Sequence, residues 1–237
     1  MSSFAAVSDK ETKAKRDKVV AARARLRERF EAKATTSGSE GSGTGPANRH
    51  GMPKLPPGQT PAKATTWPVL DLGVTPRISN EEWQLEIRGL CEAPSTLRWH
   101  DLMNFEQVDE ASDFHCVTTW SRMDIAFRGV RLIDVLASAH PSERASHIMC
   151  YATDGYCTNL SLTEALKPDV LLAYRAEGEP LSAEHGGPVR VITPQLYAWK
   201  GAKWICAIEF MDADRPGFWE KNGYSMTGNP WLDDRYS

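Results

Sequence analysis

The chain has 237 residues, with 28 Lys and Arg against 31 Asp and Glu, and a formal net charge of −3 at pH 7. Charged residues make up 25% and hydrophobic ones 41%, the balance of a soluble globular protein long enough to bury a core. These figures exclude a strongly basic nucleic-acid binder, and no apolar run reaches the roughly 18 residues of a membrane span.

Residues 1–34 are rich in Ala, Lys, Arg and Glu. One helix is expected over Glu11–Lys33, with Val19, Ala22, Leu26 and Phe30 near one face. That stripe is thin, so a solvated helix is the first reading. A docking helix for a partner, or for the body of the protein, is the second. Residues 35–66 are dominated by Gly, Ser, Thr and Pro and read as a flexible linker. All eight tryptophans follow, and residues 67–237 read as one domain.

Within that domain the alternation of Trp83–Arg88 predicts a strand ending at Gly89. Trp99–Asn104 fits a short helix, and Asp113–Thr119 a strand running into a loop. Val130, Leu132, Ile133, Val135 and Leu136 have helical spacing ahead of Pro141. His147–Tyr151 is the next strand, and Ser161–Glu164 has the form of a capping box. Val170–Tyr174, Pro188–Ile192 and Trp204–Met211 are further strands, with Glu177-Gly178 as hairpin-turn chemistry. Short strands and short helices without regular βαβ alternation define an α+β fold. The tail from Pro216 reads as irregular structure wrapping the domain.

Five cysteines occur with no CxxC pair, which argues against a disulfide framework and a CxxC zinc site. No apolar leader region or twin arginine is visible, so a reducing cytoplasm is the expected location. Cys116, beside His115 and near Arg122, is the best thiolate and soft metal-ligand candidate. A buried structural cysteine is the plainer alternative. His115 is adjacent to Cys116 and on a strand points to the opposite face, which weighs against a Cys-His hydrolase. The segment His185-Gly-Gly-Pro-Val-Arg190, followed by Lys200-Gly-Ala-Lys203, joins glycines to three cations suited to an anion such as phosphate. A Gly-rich turn with solvated bases is the plainer reading there.

Six segments in this order resemble the sulfite oxidase-like family of molybdopterin-dependent oxidoreductases. They are Pro68–Gly73, Asp113–Arg122, Asp169–Tyr174, His185–Arg190, Tyr197–Trp204 and Gly217–Tyr224. The likeness runs from about Trp67 to the C-terminus and is closest to small members with little beyond the cofactor domain. It implies a fold that buries one molybdopterin with molybdenum, and an enzyme that moves an oxygen atom to or from a small substrate. It implies Cys116 as the protein ligand to the metal and Tyr224 as a catalytic residue, five after Trp219. It also implies a pterin and phosphate site at His185, Arg190 and Gly201, Ala202 and Lys203, with Lys200 beside them. Thr153 matches a pterin-contacting Thr of a related methionine sulfoxide reductase. One departure is Leu70, followed by Asp71, where sulfite oxidases carry a substrate-binding Arg. Asp71 is then expected to bond the pterin amino groups, and Arg77, Arg122 or Arg215 to replace the missing cation. The alternatives are a sulfoxide or N-oxide reductase with the same cofactor, or a non-catalytic cofactor-binding protein that interacts through residues 1–34. A small-molecule substrate and a separate electron donor or acceptor are the expected partners.

Overall fold

The structure, a computed structural model, describes residues 9–34 and 43–237. A long helix, α1 (Asp9–Ala34), is followed by three short strands, β1 (Thr44–Ala47), β2 (Pro53–Leu55) and β3 (Thr60–Pro61). Next come β4 (Gln84–Gly89), β5 (Ser95–Arg98), α2 (Trp99–Asn104), β6 (Gln107–Cys116), β7 (Trp120–Arg131) and α3 (Leu132–Ser138). The rest of the chain supplies β8 (His147–Ala152), β9 (Cys157–Ser161), α4 (Leu162–Ala165), β10 (Leu171–Ala176), β11 (Glu179–Pro180), β12 (Arg190–Ile192) and β13 (Ile205–Met211).

The strands build two mixed sheets and a separate antiparallel β1–β2 ribbon, as the α+β reading expects. One runs β5-β4-β13-β8-β9, with β13 parallel to β4. The other is centred on β7, which pairs with β6 and β10, while β12 joins the far side of β10. The main core lies between them, where Leu85, Ile87, Val130, Leu136, Ile148 and Ile208 are fully buried. Alternation explains β4, whose Leu85 and Ile87 face inward while Gln84 and Glu86 face solvent. The expected helix at Trp99–Asn104 is α2, with Asp101 bonding back to the Arg98 amide at 2.8 Å. Ser161 caps α4 by accepting from the Glu164 amide.

Two elements differ from expectation. Val130 belongs to β7 rather than to a helix, because α3 begins at Leu132. Residues 43–66 are also not a free linker. β3 pairs in parallel with the start of β7, and His50 Nε2 lies 2.7 Å from the buried Asp169 carboxylate. The Trp231 indole donates to the Pro53 carbonyl at 2.6 Å. Backbone pairing holds an arm too poor in apolar residues to bury itself. Residues 35–42 of the expected linker lie outside the described residues. Among the described residues, no helix is long and apolar enough to cross a membrane.

Candidate active site

The β6–β7 hairpin sets the centre of the site. Cys116 is the last residue of β6, and the chain reverses through Thr119, whose φ is 75°. Strand alternation sends Cys116 and His115 to opposite sides. His115 Nδ1 meets Ser121 Oγ at 2.8 Å, and burial lowers its pKa to about 4, so it is a neutral interior residue. The arm fixes the hairpin from outside. Gln59 Nε2 donates to the Cys116 carbonyl at 3.2 Å, and Ser121 Oγ donates to Gln59 Oε1.

Cys116 lines a cavity whose empty space, its open mouth included, is about 870 Å³. Its lining includes the aromatic rings of Trp67, Phe114, Trp120, Trp199, Trp219 and Tyr224. The thiol lies 3.1 Å from Thr118 Oγ1. Burial raises its pKa, against smaller lowering effects from Thr118, Arg23 and Arg235. The expected lowering by His115 and Arg122 is absent. His115 faces away, and Arg122 is paired with Glu177 at 2.8 Å.

At another part of the cavity wall sit His185, Arg190 and Lys203. Arg190 is 3% exposed, yet its partners are only carbonyl oxygens: His185 at 2.9 Å, Val191 and Gly201 at 3.4 Å. It has no carboxylate partner among the described residues, and desolvation lowers its pKa to about 9. Its guanidinium stacks over Trp67 and Phe114. Lys203 donates to the Glu184 carbonyl at 2.7 Å, and desolvation and Arg190 lower its pKa to about 8. Gly186 permits this crowding. A Cβ there would stand 2.9 Å from Lys203 Cβ and 3.1 Å from Arg190 Cβ. Two cations thus converge with no carboxylate in direct contact among the described residues, Asp71, Asp154 and Glu184 acting on Lys203 only from a distance, an arrangement that suits an anionic ligand.

Tyr224 is brought back beside Trp219 by a short turn that ends at Gly223, φ 84°. The two rings lie 4.9 Å apart, and Trp199 stands edge-on at 5.1 Å. Tyr224 is 3% exposed and lines the cavity.

Other expected site residues stand differently. Asp71 lines the cavity, but its carboxylate caps its own turn, accepting from the Gly73 amide at 2.8 Å and Thr75 Oγ1 at 3.3 Å. His185 stacks on Trp67 at 4.1 Å. Its Nε2 donates to the Trp67 carbonyl and its Nδ1 meets Ser182 Oγ, so both ring nitrogens are engaged. Gly201 lines the cavity, whereas Ala202 is core. Thr153 is exposed and bonds the Trp204 carbonyl at 3.2 Å. Lys200 does not reach the cavity as an anion-binding cation. It is fully buried, 2.6 Å from Glu220 Oε1, 2.7 Å from Asn159 Oδ1 and 2.6 Å from the Met226 carbonyl. Glu220 Oε1 also accepts from the Trp199 indole at 3.0 Å, so the Lys200–Glu220 pair positions the aromatic wall. Sequence reasoning missed Trp67 and Phe114 as the bed of Arg190, and Arg23 altogether. Nothing in the pattern of α1 marks Arg23 out from its neighbouring bases.

A single soft sulfur donor, an aromatic cavity and a pair of cations bonded only to carbonyls fit an oxidoreductase site for an anionic, metal-bearing cofactor. The chain belongs to the oxidoreductase molybdopterin binding domain family, whose model matches residues 72–219. It is a molybdopterin-dependent oxidoreductase, and its cofactor is molybdopterin with molybdenum. The uncharacterized oxidoreductase YuiH of Bacillus subtilis is 41% identical over 185 residues, covering 78% of this chain and 92% of that protein. The protein-methionine-sulfoxide reductase catalytic subunit MsrP of Ralstonia nicotianae is 31% identical, over 64% of this chain and 52% of its own length. The chain thus spans about half of that relative. The sulfane dehydrogenase SoxCD of Paracoccus pantotrophus superposes with a TM-score of 0.55 at 22% identity, covering 59% of this chain and 40% of that one, which marks the shared fold. The residues present fit the cofactor. Arg190 and Lys203 have no carboxylate in direct contact among the described residues, the Gly186 cradle admits them side by side, and Cys116 lines the same cavity.

Proposed function

We propose that Cys116 is the protein ligand to molybdenum and that the enzyme transfers an oxygen atom to or from a small oxo-substrate. The observation that carries this is the shared cavity, with Cys116 Sγ and Tyr224 on its wall together with the paired cations Arg190 and Lys203. When bound, the cofactor supplies a two-electron metal centre that gives or takes oxygen.

The chain's own residues do the rest. Arg190 and Lys203 bind the cofactor's phosphate, which gives the buried guanidinium its missing partner. Trp67 holds Arg190 from below and His185 holds Trp67, a positioning role for that histidine. Trp120, Trp199 and Trp219 exclude water and so strengthen every electrostatic contact inside. Tyr224 would donate a hydrogen bond from its hydroxyl to the oxo group or to the substrate. The electrons pass to or from a separate carrier. We assign the enzyme to the cytoplasm, where five unpaired thiols remain reduced.

A second reading, reduction of a sulfoxide, is favoured by Leu70 in place of the substrate arginine and by the likeness to MsrP. Molybdenum-loaded protein assayed with artificial electron acceptors on sulfite, and with artificial donors on a sulfoxide, separates the two. Tyr224→Phe is expected to lower kcat about 10²-fold or more, with KM little changed, because the lost bond forms in the transition state. A fully loaded enzyme inert in both directions would overturn the proposal.

A further inference from the structure

Leu70 leaves the substrate without its expected cation, and none of the three arginines considered as replacements lines the cavity. Arg77 lies in a separate groove with Ile78 and Trp99. Arg122 is spent on Glu177, and Arg215 on Glu209 at 2.6 Å. A third cation lines the cavity besides Arg190 and Lys203: Arg23, on α1, outside the matched family domain.

α1 lies on the body through one face. Thr12, Arg16, Val19, Val20 and Arg23 are half-buried, while Lys13, Asp17, Lys18, Ala21 and Ala24 are exposed, a spacing of three to four residues. Arg16 Nη2 donates to the Asp154 carbonyl. Its guanidinium lies against Gly155, where an added Cβ would stand 3.1 Å from Nη2. Lys15 Cβ sits 2.9 Å from where a Gly73 Cβ would be. Both glycines therefore leave room for the helix. Arg16 and Arg23 are two turns apart, so their Cα atoms are about 10 Å apart along one face. While Arg16 is anchored at the 154–155 turn, Arg23 reaches another part of the same cavity.

Charge separates the two regions. Asp71 and Asp154 act on Lys203, whereas the charges acting on Cys116 are those of Arg23 and Arg235. Arg235 is committed to the Val117 carbonyl and to Asp233. Arg23 makes no hydrogen bond or ion pair among the described residues, so its planar donor fork remains available.

We propose that Arg23, delivered by α1, is the specificity-determining cation at the substrate end of the cavity, and that the substrate is a small oxyanion rather than a neutral sulfoxide. This rests on the reading of Cys116 as the metal ligand, which places the reacting end beside Arg23.

The test uses molybdenum-loaded wild type, Arg23→Gln and Arg23→Lys, with metal and pterin content measured for each. Inorganic sulfate, an unreactive oxyanion, is titrated while the fluorescence of the cavity tryptophans is followed. Sulfate is expected to bind wild type, to bind R23Q about ten-fold more weakly or worse, and to recover most of its affinity in R23K. In turnover, R23Q is expected to raise KM for sulfite by a similar factor, a far larger change than in its KM for a neutral sulfoxide. Equal sulfate affinity in wild type and R23Q, or no sulfate binding by wild type, would overturn the proposal. Because binding needs no turnover, an enzyme that binds sulfate through Arg23 yet turns over neither substrate would contradict the oxygen-transfer reading alone.

Discussion

Arg190 and Lys203 show what an anion site looks like from the protein side. Each is a cation with a pKa brought down mainly by desolvation, to about 9 and about 8, and each leans on carbonyls rather than carboxylates. A base whose folded pKa lies below its unfolded value binds fewer protons when folded. Its burden on the cofactor-free protein is therefore full below the folded pKa and is relieved as pH rises to the unfolded one. For Lys203 that window runs from about 8 to 10.5. The stability of cofactor-free wild type relative to Lys203→Met should move in favour of wild type across it, measured by denaturant midpoints at a series of pH values. A difference independent of pH would show that Lys203 is not desolvated as described. The residue types at this site were legible in the sequence, because His185, Arg190 and Lys203 stand in one glycine-rich stretch. Their partners were not, since Trp67 and Phe114 arrive from distant segments through stacking that leaves no local pattern.

At the scale of elements, the tail and the 198–200 turn act as one unit. Lys200 and Glu220 form an ion pair that is almost fully buried on both sides, with side-chain exposures of 1% and 0%. Asn159 accepts from Lys200, while Trp199 and Thr158 donate to Glu220 Oε1. Removing one partner of such a pair strands the other charge, a loss of about 3–5 kcal/mol. Lys200→Met should therefore lower unfolding stability by that amount, and adding Glu220→Leu should restore a large part of it. An unchanged midpoint in K200M would exclude the pair as a structural tie. Spacing marked Lys200 as a cofactor ligand because it shares its segment with Lys203. The 3₁₀ turn Ala198–Lys200 instead points it inward, and a turn of that kind has no periodicity from which to read facing. The strands β4, β8 and β13 were legible from alternating or continuous apolar runs. The long β7 was only partly so, because its end at Val130 merges with the helical spacing of α3.

At the scale of the molecule, segments outside the matched domain shape the site. The arm 43–61 contributes Gln59 behind Cys116, and α1 contributes Arg16 and Arg23 at the cavity. Composition marked both as linker and solvated helix, because neither buries enough apolar surface to announce docking. Hydrogen bonds and ion contacts hold them, and those depend on three-dimensional partners. Of the expected stripe, Val19 faces the body while Ala22 is exposed; the Leu26 and Phe30 side chains lie outside the described residues. The central claim is that one cavity joins the Cys116 ligand to the anion-binding cations. It is tested most directly by molybdenum and pterin content of wild type and Cys116→Ser from a molybdate-supplied host. The account expects about one molybdenum per wild-type chain. It expects the Ser variant to lose metal and turnover while keeping most of its pterin, because Arg190 and Lys203 remain. A folded C116S protein that retained molybdenum and full activity would contradict it.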